Sequence, residues 1–179
     1  MADGLLDVVD ENDVIVGQRL RSDIHREGLR HREVHVWFVT PEREVVFQRR
    51  SPTKDTFPNL LTSTAGGHVE LGQTYLEAAI REVEEETGIH IRPEDLTELV
   101  KVAITTHDDV NGLYNKPFRV SYLYLFRGNP NNLRAEKGDG AGFALIPLAA
   151  IHPGFRPDIV PPLLEPLYQP MWQRIRELV

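Results

Sequence analysis

The sequence predicts an α/β sandwich, and three observations carry that expectation. Short apolar, β-branched runs lie on both sides of one strongly charged mid-chain helix. That helix has recognisable capping residues at both ends. A second amphipathic segment closes the chain after a run of prolines.

The elements follow in order. Leu6–Val9 and Val14–Leu20 flank Asp10-Glu11-Asn12-Asp13, whose turn chemistry predicts a β-hairpin over 5–21. IHREGLRH then reads as a polar connection turning at Gly28. His35–Thr40 and Glu44–Gln48 are the next two strands, joined across Pro41-Glu42-Arg43. RRSPTKDTFPNLLTSTAGGH has two prolines and little periodicity, so it reads as a long ordered loop, a kind of segment that usually carries function. After the helix, Ile89–Ile91, Leu99–Thr106, Phe118–Phe126 and Phe143–Ile146 read as strands, separated by the turn-rich loops HDDVNGLYNK and NPNNLRAEKGDGAG. The tail, about 161–179, reads as broken turns at Pro161, Pro162, Pro166 and Pro170, followed by the last helix. Its Trp172 is expected to pack against the protomer itself or against a partner in a homodimer.

At 179 residues the simplest organisation is one domain, 1–179, long enough to bury a core. A net charge of -7 argues against a broad face for a nucleic-acid polymer but leaves room for a small phosphorylated ligand neutralised by a metal. The absence of cysteine excludes disulfides, thiolate zinc sites and a cysteine nucleophile. No apolar run suggests a membrane span and no signal-peptide pattern opens the chain, so the expected setting is cytoplasmic.

The central helix holds the chemistry. Thr74 and Glu77 match a capping box that starts it near Tyr75, and Gly88 suits a left-handed C-terminal cap. At about 100° per residue, Leu76, Ile80, Val83 and Thr87 share one face, expected to pack on the sheet. Glu82, Glu85 and Glu86 share a neighbouring face, while Glu77 and Glu84 point elsewhere. Like charges three and four residues apart repel, and acids near a helix C-terminus oppose its dipole. A hard divalent cation, Mg²⁺ or Mn²⁺, would relieve both costs and could bridge to phosphate.

Gly67, five residues, Gln73, seven residues, then REVEEETGI over 81–89: this spacing resembles the Nudix box, GX5EX7REUXEEXGU with U aliphatic. The resemblance implies the Nudix fold, an α/β/α sandwich with a mixed central sheet and its box at 67–89. It also implies a pyrophosphohydrolase using Mg²⁺ or Mn²⁺, in which water attacks a diphosphate linkage of a nucleoside diphosphate derivative or related compound. Glu82, Glu85 and Glu86 would hold the metal with the main-chain carbonyl of Gly66, and Arg81 would orient the carboxylates. Gln73 departs from the box, where the family has Glu; this weakens or alters the site without necessarily abolishing it and keeps open the alternative of a weakly active or purely ligand-binding domain.

Wider stretches, including RRSPTKDTFPNLLTSTAGGH, resemble the branch containing isopentenyl-diphosphate isomerase. Arg50 and Lys54 match positions where those relatives present cations to a diphosphate. His25, His31 and His68 sit at places similar to a separate histidine metal site. The isomerase's catalytic cysteine position is Gly66, and GLYNKPF lacks its paired glutamates, so isomerase activity is not expected. Glu136 or Asp139 is a candidate extra carboxylate, and His107, Asp108 and Asp109 are expected as loop surface at the site mouth.

Overall fold

A computed structural model describes residues 3–54, 56–109, 111–136, 140–152 and 156–179. In chain order the elements are β1 (Leu5–Val9), β2 (Ile15–Leu20), α1 (Arg21–Glu27), β3 (Arg30–Val39), β4 (Glu44–Arg50), β5 (Leu61–Thr62), β6 (Ala65–His68) and α2 (Tyr75–Thr87). There follow β7 (Leu96–Ala103), β8 (Thr106–Asp108), β9 (Leu113–Leu125), β10 (Gly140–Pro147) and α3 (Gln169–Leu178). The main sheet runs β10–β4–β3–β9–β7, with β5, β6 and β8 attached, and β1–β2 form a separate hairpin. β3 and β9 run parallel from Arg30↔Lys116 to Val39↔Leu125, whereas β4 and β6 pair with β3 antiparallel, so the sheet is mixed.

Alternation along β3 builds two cores. Val34, Val36 and Phe38 face α2 with Val46, Ala79 and Val83. Trp37 and Val39 face the other way, onto Phe47, Leu163, Trp172 and Ile175. Helical layers therefore cover both faces of the sheet, as the α/β/α sandwich requires. Trp172 packs within its own chain: its ring lies 4.8 Å from that of Trp37, and its Nε1–H donates to the Leu163 carbonyl at 2.9 Å.

One edge of β3 is shared, and that division makes the site. Glu33–Val36 pair with β6, while Phe38 and Val39 pair with β4. Thr64 fills the split: its Oγ1 accepts from the Phe38 N–H at 2.8 Å and donates to the Val46 carbonyl. The glycine turn before α2 is thus an inserted strand at the middle of the sheet.

Several expectations change in detail. IHREGLRH is not a simple connection. It holds most of α1, anchored by fully buried Ile24 and ended by Gly28 at φ +66, and then the start of β3. The long loop contains β5 and β6, because Leu61 and Ala65–His68 find main-chain partners far away in sequence. Ile89–Ile91 is not a strand: the chain leaves α2 irregularly, and the next strand, β7, begins at Leu96 and ends at Ala103 rather than running 99–106. His107 and Asp108 lie in β8, paired with Tyr114 and Leu113 of β9, not in open loop. On α2 the buried side is Ala78, Ala79, Glu82, Val83, Glu86 and Thr87, with Leu76 and Ile80 only half-buried.

The hairpin 5–21 forms as expected, and Asp13 at φ +63 turns it. Asp13 accepts from Arg32 Nε at 2.6 Å and from the Tyr75 hydroxyl at 2.9 Å, and pairs with Lys101. These contacts tie the hairpin tip to the N-terminus of α2. Among the described residues no helix is long and apolar enough to cross a membrane.

Candidate metal and diphosphate site

Local sequence chemistry places α2. The Thr74 hydroxyl accepts from the Glu77 N–H at 3.2 Å, and the Glu77 carboxylate accepts from the Thr74 N–H at 2.8 Å. At the other end Gly88 takes φ +72 and its N–H donates to the Glu84 carbonyl. With both ends set, Glu82 and Glu86 meet β6, while Glu85, expected on the same face, is exposed.

Glu86 reaches Gly66, whose N–H donates to Glu86 Oε2 at 2.9 Å. Glu82 lies against Gly67 so closely that a Cβ there would stand 2.3 Å from Glu82 Oε1. Gly66 is equally confined: a Cβ would meet the Val34 carbonyl oxygen at 2.6 Å and His35 at 2.7 Å. No side chain fits at Gly66 without moving the β3 backbone.

Arg81 organises the carboxylates. One terminal nitrogen donates to Glu85 Oε2 at 2.7 Å, and the other lies 2.9 Å from both Glu82 Oε1 and the His68 carbonyl oxygen. Its planar fork suits this three-way contact in a way a lysine would not. Glu70, which sequence reasoning passed over, adds a further carboxylate 3.8 Å from Arg81 Nε, an ion pair beyond hydrogen-bond reach. Glu82 and Glu86 are buried, while Glu85 is exposed. Burial pushes the Glu82 carboxyl up to about 7. Arg81 opposes that rise, and the charges of Glu85 and Glu136 add to it. Glu136 is therefore within electrostatic reach of the site, whereas Asp139 lies outside the described residues.

Other predicted residues have defined places. Gln73 Oε1 accepts from the Glu70 N–H at 3.1 Å, closing the turn that leads into α2. Arg50 ends β4; its guanidinium donates to the Thr56 carbonyl at 2.9 Å and hydroxyl at 3.2 Å, and its charge acts on His35. Lys54 follows in the turn beyond β4, its N–H donating to the Ser51 carbonyl. His107 pairs with Asp109 at 2.7 Å on the surface of β8 and its turn.

The three remaining histidines converge. His25 from α1, His31 from β3 and His68 from β6 bring ligating nitrogens within 4.8 Å of one another. Burial holds His68 down to about 3 and lowers His25 as well, so both rings are neutral at pH 7. Glu33 lies beside them, with Oε1 3.5 Å from His31 Nε2 and 3.7 Å from His68 Nε2. Burial is the largest single influence and works to raise Glu33, but the Arg119 guanidinium, a hydrogen bond with His31 and the nearby His68 and His31 rings together outweigh it and hold the carboxyl well below the usual range. Arg119 in turn donates to the Tyr168 hydroxyl at 2.6 Å. Glu33, Arg119 and Tyr168 were not foreseen. The one available signal was the polar-apolar alternation of His31, Glu33 and His35 with Val34 and Val36, which marks a strand with one polar inward face.

A family model for the NUDIX domain matches residues 29–164. An uncharacterized Nudix hydrolase of Clostridium acetobutylicum is 28% identical over 151 residues, covering 83% of this chain and 72% of that protein. Another, from Streptomyces coelicolor, is 51% identical over 87 residues, which span 49% of this chain and 48% of the relative. The chain thus matches only about half the length of some curated relatives. Among solved structures, that of DR0079 from Deinococcus radiodurans is similar with a TM-score of 0.65 and 28% identity, covering 81% of this chain and 84% of that one. The matched span holds both the split sheet and the Gly67–Ile89 helix signature, and the chain belongs to the NUDIX domain family.

Proposed function

We propose that this chain is a pyrophosphohydrolase that cleaves a diphosphate linkage in a nucleoside diphosphate derivative or related compound, with Mg²⁺ or Mn²⁺ as cofactor. The observation that carries the reading is the arrangement around Arg81, which gathers Glu82 and Glu85 at one fork while Gly66 holds Glu86. The donors fit a hard cation: they are oxygens, and the Glu82 carboxyl, held up near 7 by burial, is relieved of that cost by a positive partner. When bound, the metal supplies neutralisation of phosphate charge and a more acidic water.

The chain's own groups do the rest. Glu82, Glu85 and Glu86, with the Gly66 carbonyl and in reach of Glu136, hold the cation. Arg81 keeps two of the carboxylates aimed the same way. Arg50 and Lys54, on the strand end and turn flanking the split sheet, supply positive charge to the phosphates. The Gln73 amide oxygen caps the Glu70–Gln73 turn, a task that needs an acceptor and not a charge, so Gln in place of Glu is compatible with activity.

The test is phosphate release from nucleotide sugars, dinucleoside polyphosphates and nucleoside triphosphates with Mg²⁺ or Mn²⁺. Turnover of at least one class, abolished by Glu82→Gln together with Glu86→Gln, is the expected result. Turnover that survives the double substitution overturns the assigned site. A chain that binds nucleotide yet hydrolyses no class is instead a binding domain.

A further inference from the structure

We propose that the outer edge of β2 pairs antiparallel with β2 of a second copy of this chain, joining the two N-terminal hairpins into one continuous sheet.

Of the strands described, β2 is the least covered: every residue but Gly17 is exposed. Val14, Ile15 and Val16 stand in a row with 57%, 49% and 63% of their surface in solvent. Leu20 and its β1 neighbour Leu5 are exposed as well. Single apolar residues on a surface are ordinary, but an uninterrupted run of three on one strand calls for a partner.

The main chain of β2 has an open side. β1 turns Leu6, Asp7 and Val9 into the body of the protein, and Leu6 bridges to Glu70. Among the described residues β2 pairs only with β1, so no strand lines its outer edge, where the Arg19 side chain covers the Gln18 carbonyl at 2.8 Å. The strand is also held at both ends. Asp13 fixes the tip on Arg32, Tyr75 and Lys101, and at the base the Arg21 N–H donates to the Gly4 carbonyl. An edge already held in place loses little conformational freedom on pairing.

The edges of the main sheet are guarded by comparison. β10, at one end, shifts register between Gly140 and Phe143 and finishes in Pro147. β7, at the other, carries Glu98 and Lys101 and shifts register between Glu98 and Val100. Prolines, charges and bulges are the usual protection of an edge strand. β2 has no proline. Its one irregularity, opposite Val8 and Val9, leaves Val16 facing no residue of β1.

Charge selects a second copy as the occupant. Asp10 and Glu11 form the acidic turn before β2, whereas Arg19 lies near the strand's end and Arg21 follows it. An antiparallel two-fold near Gly17 sets Val14 opposite Leu20 and brings each acidic turn toward the other copy's arginines. The patch is therefore self-complementary, as a two-fold interface requires. A strand pair of this kind lies at the small end of protein interfaces, roughly 1,000 Å², so a dissociation constant of about 1–100 μM is expected. The pairing does not depend on the hydrolase reading.

The test is sedimentation equilibrium of the full chain from about 1 to 200 μM, a range set by that interface size. The mass should rise from 20.4 kDa to twice that value. Val16→Lys puts an ammonium group from each copy into the apolar centre and should raise the dissociation constant by more than about 100-fold. Arg19→Glu sets acid against acid and should raise it about 10-fold. Both side chains are exposed, so the variants keep the fold, checked by circular dichroism. Leu145→Lys, at a residue 42% exposed on β10, should leave the dimer unchanged. A chain that is monomeric throughout the range overturns the proposal. So does a dimer that survives Val16→Lys or dissociates with Leu145→Lys, and one that Arg19→Glu tightens overturns the antiparallel arrangement.

Discussion

Gly67→Ala tests the packing on which the α2 site rests. The new Cβ would stand 2.3 Å from Glu82 Oε1, 2.6 Å from its Cδ and 2.9 Å from Oε2, against an ordinary contact of 3.4 Å or more. The carboxylate must withdraw by about 1 Å. It cannot do so freely, because Glu82 is buried and its Oε1 is fixed at 2.9 Å from Arg81. A displacement of that size at a reacting centre costs about 100-fold in rate, while overpacking a buried position costs about 1–3 kcal/mol of stability. The expected result is therefore a folded protein with kcat/KM for Mg²⁺-dependent hydrolysis down about 100-fold and weakened Mg²⁺ binding. Gly17→Ala is the control, since a Cβ at Gly17 meets nothing within 4 Å. A Gly67→Ala enzyme with unchanged kcat/KM refutes the argument that this glycine exists to admit the Glu82 carboxylate.

Three further outcomes follow from the same geometry. Because the Glu82 carboxyl is raised to about 7 from 4.5, ionising it in the metal-free protein costs stability. Its contribution is whole below pH 4.5 and is lost as pH rises through about 7, a loss on the order of 3 kcal/mol. Chelator-treated protein should thus lose stability against its Glu82→Gln variant across that window, and parallel curves in chemical denaturation would contradict it. Gln73→Glu, which keeps an acceptor for the Glu70 N–H, should unfold at nearly the same denaturant concentration as the unaltered chain. Gln73→Ala, in contrast, should cost about 1 kcal/mol. Thr64→Val removes both buried bonds that seal the split between β3 and β4, leaving the Phe38 N–H and the Val46 carbonyl without the Thr64 hydroxyl. A loss of about 2–4 kcal/mol is expected, measurable by thermal or denaturant unfolding. Unchanged stability in the Thr64→Val variant would mean that the split does not need sealing.

The parts of this protein that its sequence determined by itself are those in which the deciding residues are close together along the chain. The cap at Thr74 and Glu77, the stop at Gly88, the hairpin turn at Asp10–Asp13 and the four-residue spacing that puts Glu82 and Glu86 on one side of the helix all lie within a few helical or strand repeats. Each is settled by local backbone and side-chain chemistry, and each is found in place. The tertiary structure alone decided what depends on register between distant strands. Whether Ala65–His68 was loop or strand depended on Glu33–Val36 offering it an edge, and Ile89–Ile91, apolar enough for a strand, found no such edge. Glu85 turned outward while Glu82 and Glu86 turned in, because the helix was seated by Ala79 and Val83 against β3. Glu33 meets His31, His68 and Arg119 only because β6 and β9 flank β3 in one particular alignment, Glu33 opposite both His68 and Arg119. A strand's pattern of alternation says which side chains share a face, but not which other strand will bring its own residues to that face.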